Sequence, residues 1–119
     1  MTVNEKLESI VSDITSKMSP QGARLFTFLV GYYRNHNFQT VVNIRLSDVL
    51  DALGIDANNE SLQEMVYEVI SLGPCFRLET DTDVFVFKGP ILKISVDLEE
   101  GIFSVTFAEK FLDYLRMCS

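Results

Sequence analysis

Three glutamates recur at four-residue intervals in the stretch "NNESLQEMVYEVISL". Glu60, Glu64 and Glu68 share one side of a helix, because residues four apart are neighbours on a helical surface. Gln63 and Tyr67 flank this row, and tyrosine is a frequent anchor at protein interfaces. An acidic row with such flanks is either an ordinary solvated face or a surface for a basic protein. We take Glu60, Gln63, Glu64, Tyr67 and Glu68 as the candidate protein-binding residues.

The same stretch is poorly suited to DNA. Residues 47–72 hold six of the 17 acidic residues and none of the 10 basic ones, giving −6 within a total of −7. A helix that reads the major groove needs cations near phosphate. The alternative nucleic-acid surface therefore comprises Arg77, Lys88 and Lys93, which lie on or near the predicted wing, and Arg45, which lies just before the helix-turn-helix. Acidic neighbours surround these cations, so isolated surface charges are the simpler interpretation.

Other reactive residue types have no recognisable partners in the sequence. His36, the only histidine, lies in the loop-like "RNHNF", and we expect its side chain to be exposed. Cys75 and Cys118 lack the spacing of a metal site, and Cys75 is expected to be a small buried side chain. Neither a G-x-S-x-G elbow nor a Gly-rich phosphate loop is present. We predict a protein that is not an enzyme, with no metal, no cofactor and no small-molecule substrate.

Bulk composition indicates one folded domain over residues 1–119. The chain is 47% hydrophobic and includes nine Phe and four Tyr, enough for a core without disulfides or metals. No apolar run approaches the length that spans a bilayer, and the N-terminus does not resemble a signal peptide. We expect a cytoplasmic protein with reduced thiols that does not enter a membrane.

Two helices are predicted in the first third of the chain. Apolar residues at 3-and-4 spacing place the first at about residues 3–17, and Ser19-Pro20 gives an N-cap and a first-turn proline for the second. The second helix, "QGARLFTFLVGYYRN", carries more aromatic residues than one side can bury. Most should lie in the core, and the surplus predicts a dimer seam through Phe26, Tyr32 and Tyr33.

The remaining elements predict an α+β fold. After a short strand at residues 40–44, Ser47 should cap a helix that Gly54 closes, and Ser61 with Glu64 should form the capping box of the next helix. The period then changes to two in "CFRLE", "VFVFK", "LKISVDL" and "IFSVTF". The last two segments form a hairpin across residues 99–101, and "AEKFLDYLRM" closes the chain as a short helix. This is the pattern of a winged helix-turn-helix with a C-terminal hairpin wing.

Three stretches resemble the first winged-helix domain of iteron-type plasmid replication initiators. They are "MSPQGARLFTFLV", "IRLSDVLDALGI" and "ILKISVDLEEGIFSVTFAEKFLDYL", the last ending on Phe107, Phe111, Tyr114 and Leu115. Family members carry two tandem winged helices, and the first supports dimerisation and backbone contacts more than base reading. The closing helix here opens on "FAEKF", where the family usually has Asn-Pro. The resemblance implies a role in assembly during plasmid DNA replication.

Three functions remain open from the sequence. The leading hypothesis is an interaction module of replication-initiator type, which forms a homodimer or docks a basic protein partner. The first alternative is a DNA-binding regulator of replication or transcription that uses the wing, although its charge disfavours nucleic acid. The second alternative is an acidic inhibitor from a mobile element that imitates nucleic acid.

Overall fold

The structure, a computed structural model of the chain, describes residues 2–56 and 60–117 and has an α+β architecture. Within these ranges it contains five helices and two small antiparallel sheets. The elements in chain order are α1 (Val3–Thr15), α2 (Pro20–Asn35), β1 (Val41–Arg45), α3 (Leu46–Leu53), α4 (Glu60–Ser71), β2 (Cys75–Glu79), β3 (Val84–Lys88), β4 (Ile91–Asp97), β5 (Ile102–Phe107) and α5 (Glu109–Met117).

Two of the predicted helix boundaries are confirmed. Ser19 is extended and caps α2, its hydroxyl accepting a hydrogen bond from the Gly22 N–H at 3.1 Å, with Pro20 in the first turn. Gly54 ends α3 in the left-handed region at φ +68°, a conformation that costs glycine little. Capping residues fix these boundaries locally, which is why they can be read from the sequence.

Two other predicted helix starts are wrong. The helix α3 begins at Leu46, one residue before the predicted cap Ser47, because tertiary contacts set its start. The Leu46 side chain is buried, and its N–H donates to the Gly101 carbonyl at 2.8 Å. The helix α4 already includes Glu60, so Ser61 lies inside the first turn rather than before it. The predicted turn "IDANN" extends into residues 57–59, which lie outside the described residues.

The four late strands form two separate sheets. The hairpin of β4 and β5 is confirmed, and β5 also pairs with β1, giving the order β1-β5-β4. In the hairpin turn, Asp97 Oδ1 accepts from the N–H groups of Glu99 and Glu100, each at 3.0 Å. The strands β2 and β3 pair only with each other, in a register that sets Cys75 opposite Lys88. The sequence predicted all four strands but not this division.

One hydrophobic cluster includes side chains from every helix and from the three-stranded sheet. At its centre the Tyr33 ring stacks on Phe107, with ring centroids 4.1 Å apart. The β2–β3 sheet is attached to α5 through aromatic contacts, since Phe76 lies 5.5 Å from Phe111 and 5.0 Å from Tyr114 between centroids. The cluster therefore fixes α4 and both sheets relative to the same core.

The aromatic residues of α2 correct the predicted dimer seam. Phe26 and Tyr33 are 2% and 1% exposed, because they fill the chain's own core. The prediction that these two side chains form an intermolecular seam is therefore wrong. Tyr32 is half-buried and stacks on the His36 imidazole, with centroids 3.8 Å apart.

Candidate protein-docking surface on α4

The helix α4 is held between α2 and the strand β4. Its buried side is formed by Leu62, Met65 and Val69. Val66 and Ile70 are half-buried and pack against the same core. Because successive helical residues rotate by about 100°, the opposite side of α4 faces away from the core. The residues exposed there include Glu60, Gln63, Glu64 and Tyr67.

Tyr67 is 75% exposed, the largest value among the large hydrophobic side chains of the described residues. It stands between two depressions of the surface and contributes to both. The first has a volume of about 640 Å³ and is lined by Gln63, Glu64, Tyr67, Glu68, Ser71 and Leu72. The second has a volume of about 330 Å³ and is lined by Leu62, Gln63, Val66, Tyr67, Ile70 and Val96. Four of the five predicted protein-binding residues thus meet in one place.

Glu60 is the fifth predicted residue, and it lies further towards the start of α4. It is exposed but does not line either depression. Counted at 100° per residue, Glu60 and Glu64 lie at angles of about 20° and about 60° from Tyr67 around the helix axis, both in the same direction. The exposed carboxylates of the row therefore border the tyrosine on the side away from Val66 and Ile70.

Glu68 has an intramolecular role that the sequence analysis missed. Its carboxylate accepts from the Ser19 N–H, at 3.3 Å to Oε1 and 3.2 Å to Oε2, and from the Ser19 hydroxyl at 2.8 Å to Oε1. It lies at the N-terminal end of α2, where helix dipoles favour negative charge. Glu68 thus joins α4 to α2, and Glu60 and Glu64 are the more exposed members of the row.

Gly22 makes this approach possible. A Cβ atom added at Gly22 would lie 1.6 Å from Glu68 Oε1, so any side chain there would displace the carboxylate. This helix position carries a glycine because the Glu68 carboxylate occupies the space that a Cβ atom would take. No local pattern reveals this contact, because Ser19 and Gly22 are distant from Glu68 in the sequence. The glycine in the first turn of an otherwise strong helix indicates a close approach there, but it does not identify Glu68.

The four cations of the alternative nucleic-acid surface are divided between two sheets. Arg45 and Lys93 lie on the three-stranded sheet, separated along β5 by four residues, or roughly 13 Å. Arg77 and Lys88 lie on the two-stranded sheet. Arg45 forms an ion pair with Asp48 at 3.7 Å, and Arg77 forms one with its neighbour on β2, Glu79. The structure does not bring these cations together into one basic stripe.

The remaining reactive residues lie apart from α4. Cys75 is exposed, contrary to the prediction, because strand alternation directs Phe76 into the core and Cys75 outward. His36 is exposed as expected, at the end of α2, with Nδ1 2.8 Å from the Tyr32 carbonyl oxygen. Across residues 2–56 and 60–117, no three His, Cys, Asp or Glu side chains are grouped so as to hold a metal ion. In the same ranges, no helix has the length and apolarity needed to cross a membrane.

Comparison of the chain with protein-family models, with curated proteins and with solved structures gives no match. The resemblance to the first domain of iteron-type initiators therefore stays a prediction. Inference about function rests on the α4 surface, which combines an exposed tyrosine, two exposed carboxylates and adjoining apolar side chains.

Proposed function

We propose that the protein is a non-enzymatic winged-helix interaction module that docks a basic protein partner through the exposed face of α4. Three features support the winged-helix assignment. The strand β1 separates α2 from α3, the helices α3 and α4 follow each other as a helix-turn-helix, and the β4–β5 hairpin pairs with β1 as a wing would. We extend the proposal to a cytoplasmic assembly role of replication-initiator type on the resemblance alone.

The exposure of Tyr67 is the observation that carries the proposal. A tyrosine ring in the middle of a helix, 75% exposed and set between two depressions, offers a large apolar area that is not buried within the chain. Burial of such a ring in a partner's pocket contributes strongly to binding, and the phenol can form a hydrogen bond at the rim. Tyr67 is therefore the expected anchor of the interface.

Charge supports a basic partner. Glu60 and Glu64 lie beside Tyr67 on the exposed face of α4. The potential of such a region attracts cations and raises the rate of encounter with a positively charged surface. A two-fold dimer centred on Tyr67 would instead bring the acidic rows of two copies together. A basic partner is thus better supported than self-association through this face.

The DNA-binding alternative has less support from the geometry. Duplex binding needs cations arranged along a phosphate path. Arg45 and Arg77 are paired with Asp48 and Glu79, and the two sheets separate them. We therefore expect no retention of the chain on duplex DNA at about 50 mM salt, where even non-specific binding is strong.

Capture of a partner with charge-reversed variants tests the proposal. The immobilised chain would be exposed to extract from the cells that encode it, beside Glu60→Lys/Glu64→Lys and the control Asp81→Lys/Asp83→Lys. Both variants change the net charge by the same amount, but the control residues are exposed in the β2–β3 turn. We expect a basic protein to be retained by the native chain and the control and lost from the α4 variant. Equal retention by all three would contradict docking on α4.

A further inference from the structure

The second depression forms a groove between α4 and β4. Its floor is apolar: Leu62, Val66 and Ile70 come from α4, and Val96 comes from β4. Gln63 and Tyr67 complete the lining on the α4 side, and Gln63 is the one amide side chain among the described residues that line the groove. A groove with this lining favours the burial of apolar side chains and offers few hydrogen-bond partners to polar groups.

The lining determines which kind of segment can enter. A segment inserted among apolar side chains must satisfy its own backbone N–H and C=O groups, and a helix does so internally. The groove follows α4 from Leu62 to Ile70, which is about 12 Å along the helix axis. That length accommodates about two turns of a second helix, whose apolar side chains recur at i, i+3 or i+4, and i+7.

The described lining of the groove contains no carboxylate, and the acidic residues of its rim lie beyond that lining. On α4, Glu60 and Glu64 lie about 20° and about 60° from Tyr67 around the helix, on the side away from Val66 and Ile70. On β4, Val96 is followed by Asp97, and the hairpin turn beyond it carries Glu99 and Glu100, all three exposed. Long side chains that flank the apolar stripe of a helix seated on this floor would extend past Tyr67 towards these carboxylates. Lysine or arginine at the flanks would therefore complement the rim.

We propose that the groove between α4 and β4 binds an amphipathic basic helix of a protein partner. The apolar stripe of that helix contacts Val66, Ile70 and Val96, the Tyr67 ring packs along its side, and its basic residues face Glu60 and Glu64. This inference rests on the proposed docking function and specifies the partner's secondary structure and charge.

Synthetic peptides test the inference directly on the full chain. The probe is a helix-forming peptide of about 16 residues with leucine at i, i+3, i+4 and i+7 and lysine elsewhere. One matched peptide replaces lysine by glutamate, and another places a proline at its centre, which breaks the helix. Titrations followed by amide chemical shifts should give saturable shifts near Val66, Tyr67, Ile70 and Val96. We expect binding at least about tenfold weaker for both matched peptides.

Variants separate a specific groove from general attraction between opposite charges. Glu60→Lys/Glu64→Lys should lower the affinity for the lysine peptide at least about tenfold and raise the affinity for the glutamate peptide. Tyr67→Ala should lower the affinity for both the lysine peptide and the glutamate peptide. Asp81→Lys/Asp83→Lys should leave the affinity within about twofold of that of the native chain. Well-dispersed spectra of each variant would establish that it is folded.

Three results would overturn the inference. The first is an equal loss of affinity for the lysine peptide in the two charge-reversed variants. The second is binding of the proline peptide as tight as that of the lysine peptide. The third is the absence of saturable binding by the lysine peptide. In each case, loss of the captured cellular partner on Glu60→Lys/Glu64→Lys would still support docking on α4. The helix-binding inference and the proposed function can therefore fail separately.

Discussion

The Glu68 carboxylate binds the N-terminal end of α2 through Ser19, accepting from the backbone N–H at 3.2–3.3 Å and from the hydroxyl at 2.8 Å. The contact joins residues 49 positions apart in the chain. The Ser19 hydroxyl in turn accepts a hydrogen bond from the Gly22 N–H at 3.1 Å. Glu68 therefore contacts the same hydroxyl that caps α2. Because Tyr67 directly precedes Glu68, the same contact helps to fix the docking face of α4.

Removal of the Glu68 carboxylate should destabilise the fold. Hydrogen bonds to a charged group contribute about 1.5–3 kcal/mol when buried, and Glu68 is half-buried, so Glu68→Ala should lower the free energy of unfolding by about 1–2 kcal/mol. Urea unfolding measures this change. Glu64→Ala on the exposed face is the matched control and should stay within about 0.5 kcal/mol. In the double variant Ser19→Ala/Glu68→Ala, the loss should fall short of the sum of the two single losses.

Two glycines of α2 should respond oppositely to alanine. Gly31 has nothing within 4 Å of an added Cβ, so Gly31→Ala should stabilise the helix by about 0.5–1 kcal/mol. At Gly22 the Cβ would displace the Glu68 carboxylate, and the lost hydrogen bonds should cancel or exceed that gain. In a Glu68→Ala background, Gly22→Ala should become stabilising. Thermal unfolding measures all three, and an unchanged effect of Gly22→Ala in that background would contradict the role assigned to Gly22.

The elements of the fold were readable from the sequence wherever local chemistry determines them. Ser19 and Gly54 mark helix ends through their own capping geometry, and alternation marks the strands. Errors arose where a distant contact decides. The start of α3 depends on the bond from Leu46 to Gly101, which belongs to the far hairpin. The separation of β2 and β3 into their own sheet likewise depends on pairing that periodicity does not specify.

Alkaline pH should destabilise the protein through Tyr33. Burial raises the pKa of Tyr33 from 10.0 to about 12, so the folded chain holds the phenol proton more tightly than the unfolded chain. This contribution to stability is fully present below pH 10 and is lost as the pH rises towards 12. The total loss is roughly 3 kcal/mol, since a shift of one pKa unit corresponds to about 1.4 kcal/mol. Urea unfolding at about pH 9 and about pH 11 measures about half of this loss, because pH 11 lies midway between the two pKa values. Tyr33→Phe should remove most of the difference, and an equal decline in that variant would contradict the assignment.

The turn after α2 should be stabilised by glycine. Asn37 and Phe38 adopt φ values of 59° and 57°, a left-handed conformation that is unfavourable for most residues. Asn37→Gly should raise the free energy of unfolding only slightly, because asparagine already tolerates this region, and Asn37→Ala should lower it by about 1–2 kcal/mol. Phe38 is not a candidate for the same change, because its ring packs edge-on against Tyr33 with centroids 5.2 Å apart. Urea unfolding gives the order, and a more stable alanine variant would contradict the turn geometry.

The candidate site was only partly readable from the sequence. Helical periodicity placed Gln63, Glu64 and Tyr67 on an exposed face, and the structure agrees. Periodicity also placed Glu68 in the same row, but it carries no information about Ser19 in another helix. The groove was missed for the same reason, since its lining needs Val96 from β4 beside α4. Contacts between elements, rather than patterns within one element, distinguish the candidate binding residues from the structural ones.

Site-specific photo-crosslinking tests the central claim, docking through α4, most directly. A benzophenone amino acid at position 67 replaces the exposed tyrosine ring with a reactive one, and position 86 on β3, where Val86 is 69% exposed, is the matched control. After irradiation of cells that encode the protein, we expect one discrete adduct with a basic protein at position 67 and none at position 86. The absence of an adduct at position 67, or the same adduct at both positions, would contradict the claim.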